Sequence, residues 1–144
     1  MTSRTATTQW HGDLQTGGGQ VTLVSSGAAE FPVTFPTRAG EPEGHTSPEE
    51  LIAAAHSACY SMSLSGGLTR AGHVPEALDV TAEVTIDRVD GALLITSVHL
   101  TVDATVPGIS PEAFEEAAQA AKAGCPVSKA LAAVPEITLA ATLR

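Results

Sequence analysis

With 144 residues the chain is long enough for one self-sufficient domain, and its 43% hydrophobic but 3% aromatic content calls for a core of many small aliphatic side chains. A formal net charge of −9, with seven basic residues that never cluster, excludes the basic patches that nucleic acids and anionic membranes require. The first twenty residues contain no apolar h-region, no run reaches the roughly 18 apolar residues of a membrane span, and two cysteines are too few for a Cys-rich zinc module.

A soluble, cytoplasmic protein is expected, in which two thiols form no permanent staple and a cycling dithiol becomes a candidate. Sharing an interface adds to a core of small side chains, so a homo-oligomer is also expected.

In chain order, TTQWHG, QVTLVSS and EFPVTF are short β-prone pieces separated by turn residues, a small antiparallel meander between Gln9 and Phe35. FPTRAGEPEG follows as a loop and carries Arg38, the only lysine or arginine between Arg4 and Arg70. SPEELIAAAHSACYSMSLSGG opens at Ser47 with a Ser N-cap, a Pro and two acids, which predicts a helix ending near Gly66 and Gly67. Leu78, Val80, Ala82, Val84 and Ile86 then alternate with polar residues, and Val98, Leu100, Val102, Ala104 and Val106 repeat the pattern beyond a turn at Asp90 and Gly91. Residues 78 to 106 therefore read as a long hairpin. SPEAFEEAAQAAKAG, from Ser110, predicts a second helix stopping at Gly124. Cys125-Pro126 opens a short further helix, and Ile137, Leu139, Ala141 and Leu143 make a last strand. This order specifies one α+β domain over residues 1–144, with helices on mainly antiparallel sheet.

Cys59 recurs with Leu51, Ile52, Ala55 and Met62 at spacings of three and four, which places the thiol on the helix face turned toward the sheet. Two roles fit that place. Free cysteine packs well as a small hydrophobe, and a cation or helix end can instead make a thiol reactive. Ser47 and Glu50 stand in the capping-box relation, so Glu50 has a structural task. Glu49 has none, and at about 100° per residue it lies roughly 80° from Cys59, against roughly 180° for Glu50. His56, three residues before Cys59, reads either as a hydrogen-bonded packing residue or as a base. Arg38 reads either as a solvated loop charge or as the cation that lowers a thiol pKa while a carboxylate holds its fork. Cys125, at the N-cap of the short helix, is on local physics the more acidic thiol.

TSPEELIAAAHSACYSMSLS (Thr46 to Ser65) and AKAGCPVSKAL (Ala121 to Leu131) closely resemble the OsmC/Ohr family of thiol-dependent hydroperoxide reductases. WHGD, FPTRAG and VPGI fall in the family order, and the AAHSAC and CPVSKAL wording resembles the OsmC branch. The resemblance implies an intertwined α+β homodimer with active sites at the subunit interface. It implies that Cys59 attacks the peroxide O–O bond and becomes a sulfenic acid, which Cys125 resolves as a disulfide. Arg38 would hold the thiolate and Glu49 would fix the guanidinium; no metal, haem or flavin is required, and dihydrolipoamide is the expected reductant. A nearby Arg38 can outweigh a helix-end dipole, so this assignment makes Cys59 the nucleophile. Two other readings stay open: a dimeric module that binds a small apolar ligand or senses redox state without turnover, and a metal site on Cys59, Cys125 and His56.

Overall fold

Three short strands, β1 (Thr7–His11), β2 (Gly18–Thr22) and β3 (Glu30–Val33), build the first sheet of the computed structural model, which describes residues 1–144. They pair antiparallel in the order β1-β2-β3, the meander that the sequence predicts. The chain divides into two compact units, Met1–Leu51 and Ile52–Arg144, and this sheet belongs to the first.

FPTRAG is not a loop. Thr34 accepts a hydrogen bond from the Thr37 amide at 3.3 Å and starts the five-residue helix α1 (Phe35–Ala39), with Pro36 in its first turn. Five residues are too few for hydrophobic periodicity, so only the cap and proline could have signalled it. Beyond α1 the chain returns to the sheet, where the Thr46 amide donates to Pro32 O at 3.0 Å and Thr46 bridges Val33. That tie fixes the start of α2 (Pro48–Arg70).

Ser47 caps α2 by accepting from the Glu50 amide at 3.1 Å. The other half of the expected capping box is replaced, because the Glu50 carboxylate accepts from the Thr46 hydroxyl at 2.6 Å instead of the N-cap amide. The helix also runs through Gly66 and Gly67 to Arg70. Two glycines cost about 1 kcal/mol each, and burial of Leu64 and Leu68 on one stripe offsets that. The buried stripe is His56, Tyr60, Leu64 and Leu68 at strict intervals of four. Cys59 flanks it, and Met62, expected on the core face, is 74% exposed. His56 and Tyr60 take the core face in its place, with both rings fully buried.

In the second unit β4 (Ala77–Val89) and β5 (Ala92–Thr105) form the long hairpin, turned by Asp90 at φ 51° and Gly91 at φ 84°. Positive φ at both central residues is the two-residue turn that matches strand twist. After α3 (Pro111–Gly124) and α4 (Pro126–Ala130), β6 (Glu136–Leu143) pairs parallel to β5, as a connection through helices allows. β5 is thus central, and its Leu100, Val102 and Ala104 meet Tyr60, Leu64 and Leu68 of α2 and Phe114, Ala121 and Cys125 in one core cluster. No helix is long and apolar enough to cross a membrane.

Candidate active site

In the first unit α1 presents Arg38 from its last turn and α2 presents Glu49 from its first. Arg38 Nη2 donates to Glu49 Oε1 at 2.6 Å, and Nε donates to both carboxylate oxygens at 3.1 and 3.2 Å. A planar fork on a carboxylate is the strong, direction-fixing kind of ion pair. Glu49 is buried while Arg38 keeps about a third of its side chain exposed, so the carboxylate serves as the anchor and the guanidinium retains a free edge. Burial pushes the Glu49 carboxyl up, but the Arg38 hydrogen bonds, its own amide and the Arg38 charge outweigh burial and leave it below its ordinary value. The Glu49 hydrogen bond in turn raises Arg38, against the smaller effect of burial. Glu50, turned to Thr46, takes no part.

Arg38 also opens onto a cleft of about 480 Å³ within this unit, lined by Trp10, Leu14, Val21, Val33 and Phe35 among others. Apart from the guanidinium and the threonines Thr8 and Thr34 its walls are apolar, and Trp10 and Leu14 are exposed.

The second unit holds both thiols. Cys125 closes α3 by donating its amide to Ala121 O at 2.9 Å, and it begins α4, so one residue ends one helix and starts another. Its side chain is fully buried. Cys59, 66 positions earlier in the sequence, lies against it on α2 and remains partly exposed. Both are free thiols.

Two adjacent thiols share the cost of one negative charge. Burial raises Cys125, but the Ser128 amide, the Cys59 thiol, the Ser128 hydroxyl and the Val127 amide together bring it below its ordinary value. As the N-cap side chain of α4 the sulfur makes no regular cap hydrogen bond. Cys59 is raised, first by burial and then by Cys125, with only partial relief from the Val127 amide and Ser63. Within this unit the surroundings favour the thiolate at Cys125 and oppose it at Cys59.

Three further side chains complete the surroundings. His56 is fully buried, and its Nε2 lies 2.7 Å from Ser128 Oγ, while Nδ1 has no partner. Burial holds the imidazole below its ordinary pKa, so it is neutral. Tyr60 donates to Ala118 O at 3.2 Å and is raised by burial and by nearby Glu115 and Cys125. Ser128 was legible only as part of CPVSKAL; its place three residues after the cap is the signal that could have singled it out. No three His, Cys, Asp or Glu side chains converge where a metal could be held.

Residues 40–140 match the family described as OsmC-like protein. The chain is 48% identical over 130 residues to Peroxiredoxin OsmC of Escherichia coli (strain K12), covering 90% of this chain and 89% of that one. Among solved structures, an organic hydroperoxide resistance protein from Elizabethkingia anophelis superposes with a TM-score of 0.76 at 26% identity, covering 99% of both chains. The organic hydroperoxide resistance protein OhrB of Bacillus subtilis superposes at 0.69 and 22% identity, covering 97% of this chain and 98% of that one, and bears on the fold. From residues matched, identity and fold together, this chain belongs to the OsmC-like protein family.

Proposed function

We propose that the chain is a cytoplasmic, thiol-dependent peroxidase that reduces organic hydroperoxides to alcohols in defence against oxidative stress. The observation that carries this reading is the meeting of Cys59 and Cys125, one reachable from solvent and the other sealed beside it. Identity of 48% to a peroxiredoxin supports peroxidase chemistry. The apolar cleft at Arg38 supports an organic substrate, because it offers an alkyl group apolar walls beside a charge suited to the developing alkoxide.

In the first step Cys59 Sγ, as thiolate, attacks the terminal oxygen of ROOH. An S–O bond forms, the O–O bond breaks, and the leaving alkoxide is protonated to ROH, which leaves Cys59 as a sulfenic acid. Cys125 then displaces the hydroxyl and closes a disulfide. Two exchange steps with an external dithiol, dihydrolipoamide by our reading, restore both thiols. No prosthetic group enters this cycle, and nucleic acids and membranes are not partners.

Arg38, oriented by Glu49, is the cation that makes Cys59 ionise first. Glu49 and Cys59 stand ten residues apart on α2, about 15 Å of helix rise. We read Arg38 and Glu49 of one copy as serving Cys59 of another. α2 leaves Ala55, Ala58 and Met62 exposed, a narrow apolar stripe on which a second copy can approach closely. These features support a homodimer in which each site draws on both subunits. We read residues 1–144 as one functional domain of that dimer.

Purified protein with dihydrolipoamide is expected to consume cumene hydroperoxide, and Cys59→Ser to abolish this. Full activity in Cys59→Ser would overturn the reading, and no turnover by the wild-type protein would favour an apolar-ligand or redox-sensing module, which the cleft alone would also suit. Cys125→Ser is expected to complete about one turnover and stall; sustained turnover with the dithiol would remove its resolving role.

A further inference from the structure

Besides the two sulfurs, a second pair of side chains joins α2 to the Cys125–α4 segment. His56 and Cys59 stand three apart on α2, and Ser128 and Cys125 stand three apart on the other segment. The His56–Ser128 hydrogen bond of 2.7 Å and the Cys59–Cys125 pair are thus parallel rungs, one helical turn apart. His56, Ser128 and Cys125 are all buried, so water does not compete for the polar rung.

The orphaned nitrogen fixes the direction of that rung. A neutral imidazole carries one N–H, and a buried N–H without an acceptor costs more than a bare lone pair. Nδ1 is the atom without a partner, so it is the bare nitrogen and Nε2 carries the hydrogen. Nε2–H then donates to Ser128 Oγ, which leaves the serine's own hydrogen free to point elsewhere. Ser128 occupies the third helical position of α4, counted from the cap residue Cys125, and its hydroxyl is one of the groups that lower that thiol.

We propose that His56 and Ser128 form a positioning pair for the resolving thiol: His56 orients the Ser128 hydroxyl, and that hydroxyl donates to Cys125 Sγ and holds it in line with the sulfur of oxidised Cys59. The inference rests on the dithiol peroxidase reading above. In the step it serves, Cys125 Sγ–H and Cys59 Sγ–OH give the disulfide and water. The S–S bond forms as the S–O and S–H bonds break, Cys125 sulfur is oxidised and Cys59 sulfur is reduced. The S–O electron pair leaves with oxygen, which takes the Cys125 proton, and Ser128 keeps its own. On reduction the same hydroxyl stabilises Cys125 as the leaving thiolate when the donor attacks the more exposed Cys59 sulfur.

Single-turnover oxidation without reductant separates the two stages. Dimedone trapping reports the peroxide-dependent formation of the Cys59 sulfenic acid, and mass analysis after acid quench reports the peroxide-independent closure. Ser128→Ala and His56→Leu are expected to slow closure about tenfold, the loss of one hydrogen bond to a charged group, while the peroxide step stays equal or becomes faster. The second half of that expectation follows from shared charge, since a Cys125 that ionises less readily leaves Cys59 freer to ionise. Ser128→Thr keeps the hydroxyl, and His56→Gln keeps a donor near the Nε2 position; both are expected to recover closure. In a Cys59→Ser background, thiolate absorbance should place the Cys125 titration higher in Ser128→Ala than in the parent.

Closure at the wild-type rate in Ser128→Ala, or equal slowing of both stages without recovery in Ser128→Thr, would overturn the proposal. Should His56→Leu fail to fold, the Ala and Thr pair at Ser128 decides alone. Failure of the parent peroxidase reading is distinguishable, because wild-type protein itself would then form neither the sulfenic acid nor the disulfide.

Discussion

At Glu49 a buried carboxylate is stabilised by one guanidinium, and both partners gain from the arrangement in opposite directions. The carboxylate escapes the cost of burial, and the arginine is pinned in one orientation with an edge to spare. Glu49→Gln keeps size and a hydrogen-bonding atom but removes the charge that selects the fork. It is expected to lower the second-order rate constant for peroxide about tenfold or more at pH 7, read in the first stage of single-turnover oxidation. The protein has two acid-sensitive points with the same sign, His56 through burial and Glu49 through Arg38 against burial. His56 has a folded pKa below its ordinary 6.5, so the unfolded chain binds the proton more readily; its contribution is present above pH 6.5 and is lost as pH falls from there toward the folded value. Glu49, lowered from 4.5, loses its contribution only further down, below about pH 4.5. Thermal unfolding followed from pH 8 to pH 5 should show a decline beginning near 6.5 that His56→Gln, which cannot be protonated, flattens. An unchanged decline in that variant would assign the effect elsewhere.

Along α2 local punctuation and tertiary packing disagree, and packing wins. The start was legible because a Ser-Pro-Glu-Glu opening acts locally; the end was not, because Gly66 and Gly67 are outweighed by the distant burial of Leu64 and Leu68. The true stop is Gly72, where φ is +87° and the amides of Gly72 and His73 reach Thr69 O and Leu68 O at 3.1 and 2.9 Å. Neighbouring glycines should therefore respond oppositely to alanine. Gly67 has no left-handed backbone and a Cβ there meets nothing within 4 Å, so Gly67→Ala is expected to stabilise by about 0.5–1 kcal/mol. Gly72→Ala is expected to destabilise by about 1 kcal/mol or more, because an L side chain is strained at that φ. Urea unfolding midpoints of the two variants test both signs. The hairpin, α3 and α4 were readable from alternation and caps for the same reason as the helix start: their signals are local. The meeting of Cys59 with Cys125 was not, since it depends on a core cluster that joins α2, β5 and α3 across the whole second unit.

For the whole molecule the decisive quantity is the length of α2 between Glu49 and Cys59. The wheel angle that puts them on one flank says nothing of their separation along the axis, and ten residues amount to about 15 Å. If the catalytic cation and the nucleophile belong to different copies, two inactive variants should repair one another. Cys59→Ser keeps a working Arg38, and Arg38→Ala keeps a working Cys59. In a mixed dimer one site combines both defects and the other has neither. Co-expression in equal amounts, or unfolding and refolding of an equal mixture, gives about half mixed dimers by random pairing of two equivalent subunits, each with one intact site of two. Peroxidase activity near one quarter of wild type is therefore expected, although each variant alone is inactive. Subunit exchange must precede the assay, so simple mixing of two folded homodimers should recover activity only at the rate of dissociation. No recovery after refolding, with dimers re-formed, would mean that Arg38 serves the thiol of its own chain or none. Recovery that appears when Cys59→Ser is paired with Cys125→Ala, but not with Arg38→Ala, would mean that the thiols, not the cation and the nucleophile, come from different copies.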